Sequence, residues 1–138
     1  MITGINHLTL SVHQLNESIP FYTDILDCKL IAKWNTGAYL TAGNLWLCLA
    51  QDTKTRSSPL PEYTHIAFNV TSEDFFSLSN RIKNSGAIIW KDNTSEGDSL
   101  YFLDPNGHKL EIHATTLKER IAACKQAPYS GMVFFDEK

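Results

Sequence analysis

No segment of this 138-residue sequence is apolar for long enough to span a bilayer. Basic residues are also few: 12 lysines and arginines stand against 15 aspartates and glutamates, and the net charge is −3. That balance argues against nucleic acid as a partner, because nucleic acid requires a basic surface. The N-terminus has neither a basic lead nor a small-residue cleavage site. We therefore expect a cytoplasmic protein with no membrane or nucleic-acid partner.

Cysteine is scarce as well. The sequence has three cysteines, an odd number without CxxC spacing, which favours reduced thiols over a disulfide framework. The remaining composition is that of an ordinary globular protein, with 43% hydrophobic and 20% charged residues. A chain of this length can bury one hydrophobic core, so we expect a single domain.

The clearest positive feature is an internal repeat. INHLTLSV (5–12) and YTHIAFNV (63–70) both place a histidine before alternating apolar residues and a valine. Each is followed by a helix-like stretch that opens with a capping residue, Asn16 or Thr71, and then by an apolar strand and a hairpin. The order within each half is therefore strand, helix, strand, strand, strand.

This duplicated order predicts an α+β fold of paired βαβββ modules within one domain, residues 1–138. Module one covers about 1–50, the polar segment 51–62 is a linker, and module two covers about 63–114. Residues 115–138 add an amphipathic helix and an apolar tail. Two four-stranded sheets, from one chain or from two, can curl around a shared hollow, and ligand sites favour such interfaces.

Three side chains suggest a metal site. His7 and His65 occupy the same position in the two copies, and strand alternation places His7 on a polar face with Thr9. Glu111 lies in an otherwise apolar strand, where a charge is costly unless it is paired or ligated. Two imidazoles and a carboxylate leave coordination positions open, as in catalytic sites, and suit Mn²⁺, Fe²⁺ or Zn²⁺.

The other histidines are less informative. His113 follows Glu111 by two residues and faces the same side, so its spacing leaves three roles open: a metal ligand, a support for a ligand, or a core residue. His13 and His108 lie in loop-like contexts and are expected at the surface.

A serine-rich polar loop, residues 93–99, follows the cation Lys91. Its Asn, Ser, Gly and Asp residues are typical of a turn, but they also offer many oxygen atoms. Arg120, on the terminal helix, is a second cation. If both cations point inward, they form an anion pocket together with Ser95, Ser99 and Tyr101.

Several segments resemble one known family. NHLTLSV, GAYL, LWLCLA, SEG, YFLDPNGHKLE and PYSGMVFF run in order nearly from end to end. In these segments the chain is similar to the glutathione-dependent fosfomycin resistance proteins of the vicinal oxygen chelate superfamily. The paired modules alone would indicate only the superfamily, whereas the SEG and DPNGHKLE segments point to the fosfomycin enzymes.

The resemblance implies a homodimer in which modules of different chains pair. His65 and Glu111 of one chain would share a Mn²⁺ ion with His7 of the other, with Zn²⁺, Fe²⁺ or Mg²⁺ as alternatives. Many superfamily relatives add a carboxylate from the last strand of module one, but that strand reads LWLCL here and has no acid. Trp46 is expected near that position, which leaves room for substrate oxygens.

The resemblance also implies the reaction. The thiol of glutathione would open the epoxide of fosfomycin, a small phosphonate antibiotic, and so inactivate it. Thr9 would bond the opening oxygen or the phosphonate, and Tyr39 would assist the thiol. The expected substrate-binding residues are Thr9, Trp46, Lys91, Ser95, Ser99, Tyr101 and Arg120. The expected glutathione contacts are Trp34, Tyr39 and Cys48.

For the polar loop, the resemblance implies a K⁺ ion beside the phosphonate. Carbonyl and carboxylate oxygens can replace the water shell of a monovalent ion. The expected potassium residues are Ser95, Glu96, Gly97 and Ser99, and the alternative is a plain turn.

Other functions on the same scaffold remain alternatives. The metal site could direct water or another small thiol at the same epoxide. An isomerase or dioxygenase would need a fourth ligand and a less cationic pocket, and LWLCL argues against it. A drug-binding protein without enzymatic activity would not need the trio of His7, His65 and Glu111.

Overall fold

The computed structural model describes residues 1–135 and confirms the α+β architecture of two βαβββ modules. Residues 136–138 of the predicted tail lie outside the described residues. The first module contains β1 His7–Val12, α1 Leu15–Pro20, β2 Lys29–Trp34, β3 Gly37–Ala42 and β4 Leu45–Gln51. The second contains β5 Ile66–Asn69, α2 Ser72–Asn84, β6 Ile89–Lys91, β7 Ser99–Leu103 and β8 Lys109–His113, and α3 Leu117–Gln126 follows.

The two sheets have the same topology. The first sheet has the order β1-β4-β3-β2 and the second β5-β8-β7-β6. In each, the first and last strands of the module pair in parallel, and the remaining pairs are antiparallel. Each module therefore presents one open sheet face on which side chains of its first and last strands lie side by side.

The helices begin where capping chemistry or burial places them. Thr71 caps α2 by accepting a hydrogen bond from the Asp74 amide at 3.2 Å, and Thr116 forms a capping box with Glu119 at the start of α3. The expected cap at Asn16 is wrong, because α1 begins at the buried Leu15 without any side-chain cap. No helix in the described chain is long and apolar enough to cross a membrane.

Pro20 shapes the end of the first helix. Proline has no N–H to continue the regular helical ladder. The chain widens after it into a π-helical turn, Phe21–Ile25, with the Leu26 amide donating to the Phe21 carbonyl at 3.2 Å. This turn buries Phe21 and Tyr22 against the second module, where the rings of Phe21 and Phe102 lie 6.3 Å apart.

The loop between β7 and β8 is a buried polar hub, which we define as residues 104–108. The Asp104 carboxylate accepts hydrogen bonds from the Tyr22 hydroxyl at 2.7 Å and from the amides of Asn106 at 2.8 Å and His108 at 2.9 Å. Burial, and then the charge of Asp104, raise the pKa of Tyr22 well above its ordinary value. The hydroxyl therefore remains a donor.

The same polar hub reaches into module one. His108 is only 7% exposed, so its predicted surface position is wrong, and its Nε2 donates to the Ser11 carbonyl at 2.7 Å. The Asn106 side chain accepts from the amide of His13, itself exposed, at 3.0 Å and donates to Ser18 Oγ at 3.0 Å. These contacts join the two modules of one chain.

Candidate active site

His65, which immediately precedes β5, meets Glu111 on the neighbouring strand β8 of the second sheet. His65 Nε2 lies 3.0 Å from Glu111 Oε1, and Glu111 is 6% exposed. The other ring nitrogen, Nδ1, lies 2.9 Å from the Tyr63 carbonyl oxygen. A carbonyl only accepts, so Nδ1 carries the proton of the neutral ring and Nε2 presents a lone pair.

That lone pair faces a carboxylate, which also only accepts. Two acceptors that converge in this way need a cation between them, either the second proton of an imidazolium or a metal ion. A neutral imidazole Nε2 whose second nitrogen donates to a carbonyl, set beside a carboxylate, is the donor set of a divalent metal site. The chemistry of His65 and Glu111 therefore fits the predicted metal.

His7, the third predicted ligand, lies on the open face of the first sheet. Its Nδ1 donates to Asn6 Oδ1 at 2.7 Å, which leaves the Nε2 lone pair available, and its ring stacks on Trp46 with centroids 4.4 Å apart. Within residues 1–135, no three His, Cys, Asp or Glu side chains are grouped so as to hold a metal. The predicted trio is thus divided between the two sheets of the chain.

A second set of hydrogen bonds holds the other oxygen of Glu111. Ser99 Oγ donates to Oε2 at 2.7 Å, and His113 Nδ1 lies 2.5 Å from the same Ser99 oxygen. The Ser99 side chain, which the sequence analysis assigned to the phosphonate, therefore points to the carboxylate and is 8% exposed.

A cavity of about 570 Å³ adjoins this carboxylate and is lined by the predicted cations. Lys91 Nζ donates to the Tyr63 hydroxyl at 2.8 Å and lies over the rings of Tyr63 and Tyr101, 5.1 and 4.7 Å from their centroids. The hydrogen bond to Tyr63 raises the pKa of Lys91, so the amine remains charged. Sequence reasoning placed Lys91 and Tyr101 here but missed Tyr63.

Arg120 closes the other side of the cavity. Its Nη2 donates to the Glu96 carbonyl at 3.0 Å, and its Nε lies 3.6 Å from the Glu96 carboxylate. Partial burial lowers the pKa of Arg120, but the Tyr129 hydroxyl and Glu96 outweigh it, and the net shift is upward. In the described part of the chain this Nε is buried and makes no hydrogen bond, and the anion beside it is the Glu96 carboxylate.

Asn93 organises the polar loop. Its side-chain oxygen accepts from the Ser95 amide at 3.1 Å and hydroxyl at 3.0 Å, and its amide group donates to the Gly97 carbonyl at 2.8 Å. Gly97 has a φ of +86°, a conformation that favours glycine. The sequence analysis did not single out Asn93, although Asn at the start of a turn is the signal for such bonding.

The first sheet carries an aromatic row on its open face. Trp34 and Tyr39 have ring centroids 4.7 Å apart, and Tyr39 and Trp46 5.2 Å apart. All three rings are about two-fifths exposed, at 42%, 38% and 39%. Apolar rings left open beside polar groups mark a surface that contacts another molecule.

The strand register identifies the first-sheet counterpart of Glu111. Thr9 pairs with Cys48 across β1 and β4, and Ala67 pairs with Glu111 across β5 and β8. Because Thr9 and Ala67 each follow the repeat histidine by two residues, Cys48 is the structural equivalent of Glu111. Cys48 therefore occupies this position, and Trp46, which was expected near it, lies two residues earlier in β4 and contacts His7.

Cys48 is the one partly exposed thiol of the three. Burial, and then Asp27, raise the pKa of Cys28 to about 11, and Cys124 is 3% exposed. At pH 8 we expect iodoacetamide to label Cys48 first, with Cys28 roughly 100-fold slower because so little thiolate is present.

The same labelling tests the glutathione contacts. S-methylglutathione, which cannot itself react as a thiol, should slow the labelling of Cys48 without affecting Cys28. Peptide mass spectrometry reads both sites, and the Cys48→Ala variant should lose only the fast phase. Unchanged labelling at saturating S-methylglutathione would remove Cys48 from the glutathione site.

The paired βαβββ modules define the fold class, and a histidine and a carboxylate beside a cationic cavity mark the candidate site. Residues 4–112 match the model of the Glyoxalase/Bleomycin resistance protein/Dioxygenase superfamily, and the chain belongs to that superfamily. The chain is 51% identical to Glutathione transferase FosA of Serratia marcescens, over 100% of this chain and 99% of that protein. It is 41% identical to Metallothiol transferase FosB of Staphylococcus epidermidis, over 99% of this chain and 98% of that protein.

The chain is also similar to a fosfomycin resistance protein of known structure. A mutant of the fosfomycin resistance protein FosX from Listeria monocytogenes, complexed with Mn(II) and 1S,2S-dihydroxypropylphosphonic acid, matches with a TM-score of 0.77 and 32% identity. The match covers 89% of this chain and 98% of that one. The resemblance to fosfomycin resistance proteins is thereby confirmed.

Proposed function

We propose that this protein is a metal-dependent glutathione transferase that inactivates fosfomycin by opening its epoxide with the thiol, and so gives resistance to the antibiotic. The observation that carries the proposal is the pair of converging acceptors, His65 Nε2 and Glu111 Oε1, beside a cavity with two cations. The 51% identity to a glutathione transferase selects the thiol among the relatives' activities.

The site is completed in a homodimer. His7, Tyr39 and Trp46 lie on an open, exposed face of the first sheet, while His65 and Glu111 lie on the second. A second chain whose first sheet covers the second sheet of its partner brings His7 to His65 and Glu111 and buries the exposed rings. Each dimer then holds two sites, each built from both chains.

The metal is Mn²⁺, for which two imidazoles and a carboxylate leave open positions. When bound, it supplies Lewis-acid stabilisation of the negative charge that develops on the epoxide oxygen. K⁺ binds in the polar loop at Ser95, Glu96, Gly97 and Ser99, where carbonyl oxygens replace its water. The protein works in the cytoplasm, where glutathione is available.

The chain's own residues bind and orient the substrate. Lys91 and Arg120 face the phosphonate as a point charge and a fork, with Tyr101 and the Ser95 hydroxyl beside them. Thr9, two residues after His7 on the same face, bonds the epoxide or phosphonate oxygen. Charge complementarity between two cations and a dianion fixes the orientation of the small substrate.

The thiol approaches from the aromatic row of the first sheet. Trp34, Tyr39 and Cys48 contact glutathione, and the Tyr39 hydroxyl assists the loss of the thiol proton. The C–S bond forms as the C–O bond of the epoxide breaks, and the oxygen finally takes up a proton that balances the one lost by sulfur. A free thiol with a pKa of about 8.5 is only a few per cent ionised at pH 7, so such assistance raises the rate.

A product assay tests the proposal. Metal-free protein, fosfomycin and glutathione are combined with Mn²⁺ and K⁺ each present or absent, and the products are read by ³¹P NMR and mass spectrometry. We expect a glutathione adduct that requires Mn²⁺ and forms faster with K⁺.

Each other outcome has a definite reading. Adduct formation without any effect of K⁺ would remove the potassium site and leave the enzyme. Diol as the product would make the protein an epoxide hydrolase, and an adduct formed only with another thiol would make it a transferase for that thiol. Fosfomycin left intact under every condition would overturn the proposed function.

A further inference from the structure

His113 lies at the centre of a hydrogen-bond chain behind Glu111. Ser99 Oγ is 2.7 Å from Glu111 Oε2, His113 Nδ1 is 2.5 Å from Ser99 Oγ, and His113 Nε2 is 2.5 Å from Thr115 Oγ1. His113 and Thr115 are half-buried, and Ser99 and Glu111 are buried. Four side chains of two strands and the segment after them are thus connected in one line.

The direction of the chain follows from its end at a carboxylate. Glu111 only accepts, so Ser99 donates its one hydroxyl proton there and must accept from His113. The neutral His113 ring therefore carries its proton on Nδ1, and Nε2 accepts the proton of the Thr115 hydroxyl. The opposite tautomer would direct the Nδ1 lone pair at Glu111 Oε2, 3.2 Å away.

This arrangement decides among the roles that spacing left open for His113. Both ring nitrogens are occupied, Nδ1 by Ser99 and Nε2 by Thr115, so neither has a lone pair for a metal. Through Ser99 the imidazole is linked to the Glu111 carboxylate, which favours a supporting role over that of a core residue. What it does is hold one oxygen of Glu111, so that the other oxygen is fixed towards His65.

The far end of the chain contacts the polar loop. A Cβ added at Gly97 would lie 2.2 Å from Thr115 Cγ2, so the loop backbone packs directly on this methyl group. The amide of Ala114, between His113 and Thr115, donates to the Asp98 carbonyl at 3.0 Å. One short segment after β8 therefore supports both the carboxylate and the loop.

We propose that His113 is a positioning residue that fixes the Glu111 carboxylate for the metal, and that Thr115 extends this support to the polar loop that faces the phosphonate. The inference rests on the proposed function, because it assigns Glu111 as a metal ligand. Supporting side chains of this kind raise metal affinity by about 10- to 100-fold.

Matched variants separate the two ends of the imidazole. His113→Asn keeps a donor near the Nδ1 position, His113→Gln keeps a group near Nε2, and His113→Phe removes both nitrogens. Mn²⁺ affinity is measured by electron paramagnetic resonance, and thermal unfolding checks that each variant folds. We expect the His113→Phe and His113→Gln variants to bind Mn²⁺ about 10- to 100-fold more weakly than the wild type. The His113→Asn variant should keep most of the wild-type affinity.

Thr115 provides an independent pair. Thr115→Val removes the hydroxyl but keeps the methyl group that packs against Gly97. Thr115→Ser keeps the hydroxyl but removes that methyl group. We expect Val to weaken Mn²⁺ binding with little change in the KM for fosfomycin at saturating metal. The Thr115→Ser variant should raise that KM and leave the Mn²⁺ affinity unchanged. A merely structural role of Thr115 would not produce these opposite effects in the two variants.

The outcomes separate this inference from the proposed function. If wild-type protein neither binds Mn²⁺ nor forms the adduct, the proposed function fails. If wild-type protein does both and His113→Phe binds Mn²⁺ equally well, only the positioning role fails. If the Phe variant does not fold, equal Mn²⁺ affinities of the Asn and Gln variants overturn the role, and a tighter Asn variant supports it.

Discussion

Two inactive variants, His7→Ala and His65→Ala, are expected to form an active heterodimer when their chains are co-expressed. His7→Ala and His65→Ala each remove a metal ligand from both sites of a homodimer. Because the metal supplies several kcal/mol of transition-state stabilisation, each should lower kcat/KM by about 1000-fold or more. In a heterodimer of the two, one site loses both histidines and the other keeps all three ligands. That heterodimer should show about half the wild-type activity.

The experiment uses co-expression of the two variants with different affinity tags, so that only heterodimers are purified. A matched control combines His65→Ala with Glu111→Gln. Those two ligands come from the same chain, so each site of this heterodimer is damaged and it should stay inactive. If His7 served the site of its own chain, the His7→Ala and His65→Ala heterodimer would be inactive as well, and the shared site would be refuted.

The sequence predicts the modules well because their signals are local. The histidine template, the period-2 alternation and the cap at Thr71 each depend on a few neighbouring residues. The start of α1 was misplaced because burial of Leu15, a tertiary effect, decides it rather than the capping chemistry of Asn16. The π-helical turn after Pro20 likewise depends on packing against the other module.

The site was predicted in part, and the strand register explains the rest. The structure brings together His65, singled out by its repeat position, and Glu111, singled out as a charge in an apolar strand. Placing Ser99 beside His113 and Cys48 at the position equivalent to Glu111 requires the register of β7 against β8 and of β4 against β1. A shift of the register by one residue moves every side chain of a strand to the other face of the sheet. Composition and spacing do not determine the register.

The polar hub is the contact that the sequence concealed most completely. The segment DPNGH is typical of a hairpin turn, so His108 was expected at the surface. The module-one partners of Asp104 and His108 lie far away in sequence, and nothing near residue 104 indicates them. A buried carboxylate that accepts three hydrogen bonds, one of them from the other module, is expected to stabilise the contact between the two modules.

Replacing Asp104 by alanine is therefore expected to lower the free energy of unfolding by about 3–5 kcal/mol, because the Tyr22 hydroxyl and two buried amides lose their acceptor at about 1–3 kcal/mol each. Tyr22→Phe, which leaves the two amide bonds intact, should cost about 1–2 kcal/mol. Asp92→Ala, at an exposed aspartate, is the control and should change stability by less than about 0.5 kcal/mol. Urea unfolding followed by circular dichroism measures all three.

Tyr22 makes the free energy of unfolding depend on pH in the alkaline range. Its pKa is raised in the folded state, first by burial and then by Asp104. Above pH about 10 an unfolded tyrosine releases its proton while the folded one retains it. The native state then binds more protons than the unfolded state, so stability falls as pH rises. Tyr22→Phe should lose less stability between pH 9 and 11 than wild type, on the order of 1 kcal/mol or more. Equal slopes would show that the hub does not hold this hydroxyl as a buried donor.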